Sequence, residues 1–254
     1  MSDVAEFEAL DEYVEAIIAV LYSEPGQGKT SFGASHDNTL IIATEKGTIA
    51  ASRVHKGKYK NVRVANCTGD FRKVEETVEK LENDRELCDS FEWLVVDTGT
   101  EMHRLIKKDI VVTRVGQGKN KNLDKIQLEE YGEQQMRFQR FWERINELGP
   151  NVLWLFHVET FDNVHGNPAV RPDVHGQKGA LSAWTSAQGF VCGYLTTEMA
   201  ETKSGGEKKV RKIQWSGDDS IRAKDRFDCL PEYTVDWTLT KLTDFIYDHA
   251  GQPE

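Results

Sequence analysis

Apolar residues in this chain gather into short continuous runs rather than alternating with polar ones. Ala16–Leu21, Thr39–Thr44, Phe91–Val96 and Asn151–Phe156 each hold five or six mostly apolar positions in a row. Runs of that length are the signature of strands covered on both faces, as in a parallel sheet. Between them lie stretches with helical spacing. Phe71 to Leu87 carries Val74, Val78 and Leu81 on one stripe, Glu101 to Ile110 and Asp124 to Leu148 follow, and Gly149-Pro150 ends the last of these. Trp237 to His249 places Leu239, Leu242, Phe245 and Ile246 at helical intervals, a C-terminal helix over about 237–250. Phe190–Thr196 and Val210–Trp215 flank Lys203-Ser204-Gly205-Gly206 and predict a hairpin. Two stretches show no period, 53–63 and 160–179, and are expected to be loops. The order predicts an α/β fold with a mainly parallel central sheet, helices on both faces and a C-terminal β-hairpin extension, in one domain preceded by a short acidic segment, 1–14.

The first apolar run leads into Ser23-Glu24-Pro25-Gly26-Gln27-Gly28-Lys29-Thr30-Ser31. A strand, a glycine loop and a helix start in that order make a phosphate cradle, because successive backbone N–H groups converge on one small volume. Gly26 and Gly28 give the backbone the freedom and close approach the turn needs. Lys29 can reach the β- and γ-phosphates of a nucleotide such as ATP, and the Thr30 hydroxyl can complete a Mg²⁺ shell. The pattern is G-x-x-x-x-G-K-[ST] with Ser23 in place of the first glycine, a position serine can occupy if its φ stays negative. The third run ends in Asp97, where a carboxylate could join Thr30 at the metal, usually through water. Glu45 follows the second run and His157 closes the fourth. Glu45 is either the base that polarises the attacking water or a solvated strand-end glutamate, and His157 is either a γ-phosphate sensor or a structural histidine.

Composition narrows the class. The chain has 254 residues, a net charge of −10, 39% hydrophobic and 29% charged residues, and no apolar run long enough to span a bilayer. The acidic start is unlike a signal peptide, and the expected location is the cytoplasm, without membrane association. Cys67, Cys88, Cys192 and Cys229 have neither disulfide-framework nor zinc spacing and are expected to be buried thiols. Negative charge argues against indiscriminate nucleic-acid coating but leaves room for a local basic groove.

This succession of a phosphate loop, a strand ending in Glu, a strand ending in Asp-Thr, a loop, a helix, a strand ending in His, a long loop and then Lys224-x-Arg226 resembles the RecA-like ATPase core. More narrowly it is similar to the core-only, phage-encoded Sak-type single-strand annealing proteins, also described as phage nucleotide-binding proteins, over roughly residues 15–235. The resemblance implies ATP and Mg²⁺ as cofactors. It makes Lys29 and Thr30 the phosphate and metal residues, Asp97 a second metal ligand, Glu45 the base and His157 the sensor. Stretches 112–123 and 160–179 match the two DNA-binding loops, which nominates Arg114, Lys119, Lys121, Arg171 and Lys178. Lys224 and Arg226 match a pair inserted into the neighbouring subunit's nucleotide site. If the segment is extended, alternation puts both cations on one face, although an ordinary charged surface segment reads the same way.

The implied function is ATP-dependent binding and annealing of single-stranded DNA in phage recombination. The protein would act as a homo-oligomer, ring or filament, in the bacterial host's cytoplasm, with a single-strand DNA-binding protein as a further partner. A nucleotide-dependent assembly or regulatory module that never touches DNA is the alternative. A small-molecule or nucleotide kinase would need an arginine-rich lid, which the sequence does not show.

Overall fold

A computed structural model of the chain describes residues 16–119, 122–123, 127–174, 179–201 and 206–250. Its frame is one sheet in which six strands run parallel: β1 (Ile18–Ser23), β2 (Thr39–Ala43), β3 (Arg63–Asn66), β4 (Trp93–Asp97), β5 (Asn151–Asp162) and β7 (Val191–Glu201). They lie in the order β7-β1-β5-β4-β2-β3. Antiparallel strands extend the β7 side, with β8 (Glu207–Gln214) beside β7 and β10 (Tyr233–Val235) beside β8. The short β9 (Lys224–Asp225) also pairs with β7, and β6 (Pro168–Pro172) pairs back onto β5. The mostly parallel α/β architecture with its C-terminal hairpin is the one the apolar runs predict.

The uninterrupted apolar runs are explained by two cores. Side chains alternate across a strand, so a run without polar breaks must be apolar on both faces. Val20 and Tyr22 of β1, Leu40 and Ile42 of β2, Leu94 and Val96 of β4, and Trp154 and Phe156 of β5 face one core. Their neighbours Leu21, Ile41, Val95, Leu153 and Leu155 face the other. Helices α3 (Phe71–Asn83), α5 (Gly99–Gly116) and α6 (Leu128–Asn146) cover the first face, where Trp142 stacks on Trp154 with ring centroids 4.3 Å apart. Helix α8 (Leu239–His249) and the short α1 (Lys29–Gly33) cover the second, burying Leu239, Leu242, Ile246 and Phe32. Gly33 lets α1 lie flat on the sheet: a Cβ there would stand 2.8 Å from a methyl of Val95. That close approach lets the chain cross from β1 past β5 and β4 to β2 in 15 residues.

Several boundaries differ from the sequence-based expectation. The stretch read as one helix from Phe71 to Leu87 is α3 and α4 (Arg85–Asp89), divided at Asp84, whose side chain accepts from the Leu87 N–H and starts a new helix. The region read as a loop at 53–63 includes the end of α2 (Thr48–Val54) and leads into the edge strand β3. Helix α5 continues to Gly116, so Arg114 belongs to a helix rather than to a loop. The largest correction is at 160–179. Strand β5 does not stop at His157 but runs on to Asp162, turns through 163–167 and returns as β6. Asn163 Oδ1 accepts from the N–H groups of His165 and Asn167, and Gly166 has φ +77°, so a five-residue turn closes a hairpin that aperiodic composition concealed. Helix α7 (Ala180–Gln188) then returns the chain to β7.

Gly99 offers a direct test of this packing, since a Cβ there would stand 2.3 Å from the Phe156 ring. Gly99→Ala should lower stability by about 1–3 kcal/mol in chemical denaturation. Gly116→Ala, at the open end of the same helix with nothing within 4 Å, should cost nothing.

Candidate active site

Parallel register brings the ends of four strands to one edge. Ser23 at the end of β1 lies opposite His157, while Asp97 at the end of β4 lies opposite both Leu155 and Ala43. Because β5 is inserted between β1 and β4, its residue His157 stands between the phosphate loop and Asp97 rather than beyond them. Ser23, fully buried, is the last residue of the strand and is absent from the positive-φ residues, so serine meets the condition set by its replacing glycine. It also gains a role glycine could not have. The buried Lys29 ammonium donates to Ser23 Oγ at 3.1 Å, to the Ser23 carbonyl at 3.0 Å and to the Glu24 carbonyl at 3.2 Å. Burial lowers the Lys29 pKa, opposed by the carboxylates of Glu45, Asp97 and Glu24.

Beyond Ser23 the loop rises to the surface at Glu24, Pro25 and Gly26 and returns through Gln27 and Gly28 into α1, which carries Lys29, Thr30 and Ser31. Gly28 has φ +101°, a conformation that favours glycine. Thr30 Oγ1 donates to Asp97 Oδ2 at 2.8 Å. The other oxygen, Asp97 Oδ1, is buried and has no hydrogen-bond partner among the described residues. Burial pushes the Asp97 carboxyl up to about 6; the Thr30 hydrogen bond, Lys29 and His157 pull it down, while Glu45 adds to the rise. A buried carboxylate oxygen without a donor, beside a threonine hydroxyl, is a donor set suited to a hard, water-carrying divalent cation such as Mg²⁺.

Glu45 and His157 also meet, with His157 Nε2 3.0 Å from Glu45 Oε2. The backbone around them is fixed by threonines that sequence reasoning did not single out. Thr44 N–H donates to the Asp97 carbonyl, and the Thr44 hydroxyl both donates to the Thr98 carbonyl and accepts from the Thr98 N–H. The His157 N–H donates to Thr100 Oγ1, whose hydroxyl donates to the Asp173 carbonyl just past β6. These threonines stand beside or near the charged residues, but a lone hydroxyl in a strand or first helical turn carries no distinctive sequence signal.

The remaining expected residues lie elsewhere. Lys224 and Arg226 do share one side of an extended segment, and both donate to the Ala187 carbonyl at 2.7 Å, at the end of α7. Lys224 pairs with Cys192, which pairs with Val20, and the Arg226 N–H donates to the Phe190 carbonyl while the Phe190 N–H donates to the Ile18 carbonyl, so the segment runs from the middle of β1 toward its start, away from the phosphate loop at its other end. Arg114 is bound to Glu133 at 2.7 Å, and Arg171 to Glu159 at 2.8 Å with its guanidinium over the Phe161 ring. Lys119 is exposed just past α5. Lys121 and Lys178 lie outside the described residues. Among the described residues, no helix is long and apolar enough to cross a membrane.

A search of curated proteins finds no match to this chain. A family model described as an AAA domain matches residues 15–227, from the start of β1 through Lys224 and Arg226. The phosphate loop, the buried Asp97 facing Thr30, the inserted β5 and that match over most of the chain agree: the protein belongs to the AAA-domain family of P-loop ATPases.

Proposed function

We propose that the chain is a magnesium-dependent ATP hydrolase that works as a homo-oligomer on single-stranded DNA, in the manner of Sak-type annealing proteins. The observation that carries the hydrolase part is the meeting of Lys29, Thr30, Asp97, Glu45 and His157 at one edge of the sheet. Lys29 exchanges the carbonyls of Ser23 and Glu24 for phosphate oxygens, a better match for a buried ammonium. Thr30 and Asp97 would hold the magnesium, which would supply positive charge against the developing charge of the triphosphate. Glu45 orients a water and accepts its proton, while His157 holds the Glu45 carboxylate in place.

Oligomerisation is supported by where Lys224 and Arg226 lie. They stand away from their own phosphate loop, so a cation from this pair reaches a triphosphate only if a second copy brings it. The DNA part is supported by position: Lys119 follows α5, and the β5–β6 hairpin rises from the strand that carries His157. A specific observation favours the other reading, an assembly or regulatory ATPase without DNA. Arg114 and Arg171, two of the cations nominated for DNA, are matched by Glu133 and Glu159, and the net charge is −10.

Lys29→Ala should abolish ATP binding measured by calorimetry. Glu45→Gln should retain binding and lower turnover by about 100- to 10,000-fold, and a variant with wild-type turnover would remove Glu45 from the chemistry.

The specific activity of the wild-type protein should rise with protein concentration. Arg226→Ala should remove that rise while leaving ATP affinity unchanged, with circular dichroism checking that loss of the Ala187 contact has not unfolded α7.

Single-stranded DNA should bind with an affinity that falls as salt rises, and replacing Lys119 and Lys121 by alanine should flatten that slope by about one to two phosphate contacts. Failure of DNA to bind at low salt, with ATP-dependent assembly intact, selects the assembly reading.

A further inference from the structure

The β7–β8 hairpin touches the phosphate loop. Thr197 of β7 and Arg211 of β8 are opposite each other in the antiparallel register, so their side chains lie on the same face. Thr197 Oγ1 donates to Gln27 Oε1, and Arg211 lies against Gly28. Where a Cβ on Gly28 would stand, Arg211 Cδ is 3.1 Å away, Nη1 3.6 Å and Nε 3.8 Å. Two residues more than 160 positions beyond the loop thus rest against the arm that returns through Gln27 and Gly28.

We propose that Arg211 is a nucleotide-binding residue, contributed by the same chain, whose guanidinium binds the phosphates held at the Gly28–Lys29 turn. This inference rests on the reading of the loop as a triphosphate cradle.

Three observations support it besides the contact itself. Arg211 is half-buried, and its guanidinium makes no hydrogen bond or ion pair with any described residue. The nearby carboxylate, Asp236, whose pKa the Arg211 charge helps to lower, makes no ion pair with the guanidinium and is engaged by the Lys208 ammonium at 2.7 Å and the Arg211 backbone N–H at 3.0 Å. The groups facing Arg211 from α2 do not neutralise it either. His55 Nε2 donates to the Ser31 carbonyl at 2.6 Å, and its pKa is lowered by burial, by Arg211 and by Lys58. A guanidinium without a hydrogen-bond acceptor among the described residues, beside a turn of backbone N–H groups, keeps its fork of donors for phosphate oxygens. The assignment differs from that of Lys224 and Arg226: those cations need a second copy, whereas Arg211 reaches its own loop.

The test is calorimetric titration of MgATP into the full chain, comparing wild type with Arg211→Met, which keeps the aliphatic cover over Gly28 and removes the donors. Melting temperature without nucleotide reports whether the fold survives; if Arg211→Met melts low, Arg211→Gln is used in its place under the same criterion. A loss of affinity of about 10- to 100-fold is expected, as for removal of a charged hydrogen bond, with Arg211→Lys recovering part of it. A loss smaller than tenfold overturns the assignment. Lys29→Ala separates the two readings: if wild type binds, Lys29→Ala does not and Arg211→Met binds normally, only the Arg211 role falls. If wild type fails to bind MgATP, the cradle and the Arg211 role fall together.

Discussion

Asp97 is the constraint around which this protein is arranged. Its carboxylate is buried at the end of a central strand, one oxygen held by Thr30 and the other without any donor. Leaving a buried acceptor unpaired costs about 1–3 kcal/mol, more when the group is charged, and a fold keeps such a group when something else will complete it. Here the neighbours are suited to a cation and its phosphates: the Thr30 hydroxyl, the Lys29 ammonium, and the Glu45–His157 pair. The surrounding threonines, Thr44, Thr98 and Thr100, spend their hydrogen bonds on backbone and so hold the edge in place without competing for the carboxylate.

Strand order ties that arrangement to the rest of the sheet. With β5 inserted between β1 and β4, the strand next to the phosphate loop is the one that continues outward as the β5–β6 hairpin. His157 sits at the level where β5 leaves the sheet, bonded to Glu45 by its side chain and to Thr100 by its backbone, and Thr100 bonds onward to the Asp173 carbonyl. On the other side, β7 lies next to β1 and carries the β7–β8 hairpin, whose Thr197 and Arg211 rest on Gln27 and Gly28. Two antiparallel hairpins therefore flank the loop, each attached to a strand that borders β1.

Lys224 and Arg226 serve local structure at the end of α7. Both end on the Ala187 carbonyl, where a helix C-terminus carries partial negative charge. That contact fixes the pair's geometry at the end of the sheet away from its own loop.

The sequence by itself determined the parts that depend on local chemistry. Uninterrupted runs such as Ile41-Ile42 and Leu94-Val95-Val96 require apolar surroundings on two faces, and a parallel sheet between helices supplies them. The turn from Ser23 to Thr30 was legible because its glycines and Gly-Lys-Thr end serve a backbone geometry set within eight residues. Even there, only the fold revealed that Ser23 holds Lys29. The β5–β6 hairpin was hidden because its turn rests on one asparagine and one glycine, and its strands find their partners after folding. Arg211 carried no signal, since its place beside Gly28 depends on β7 adding to β1 and β8 to β7. The meeting of Asp97 with Thr30 across 67 positions, and of His157 with Glu45 across 112, was likewise decided by strand order and register, which bring remote strand ends to one edge and cannot be read from any local window.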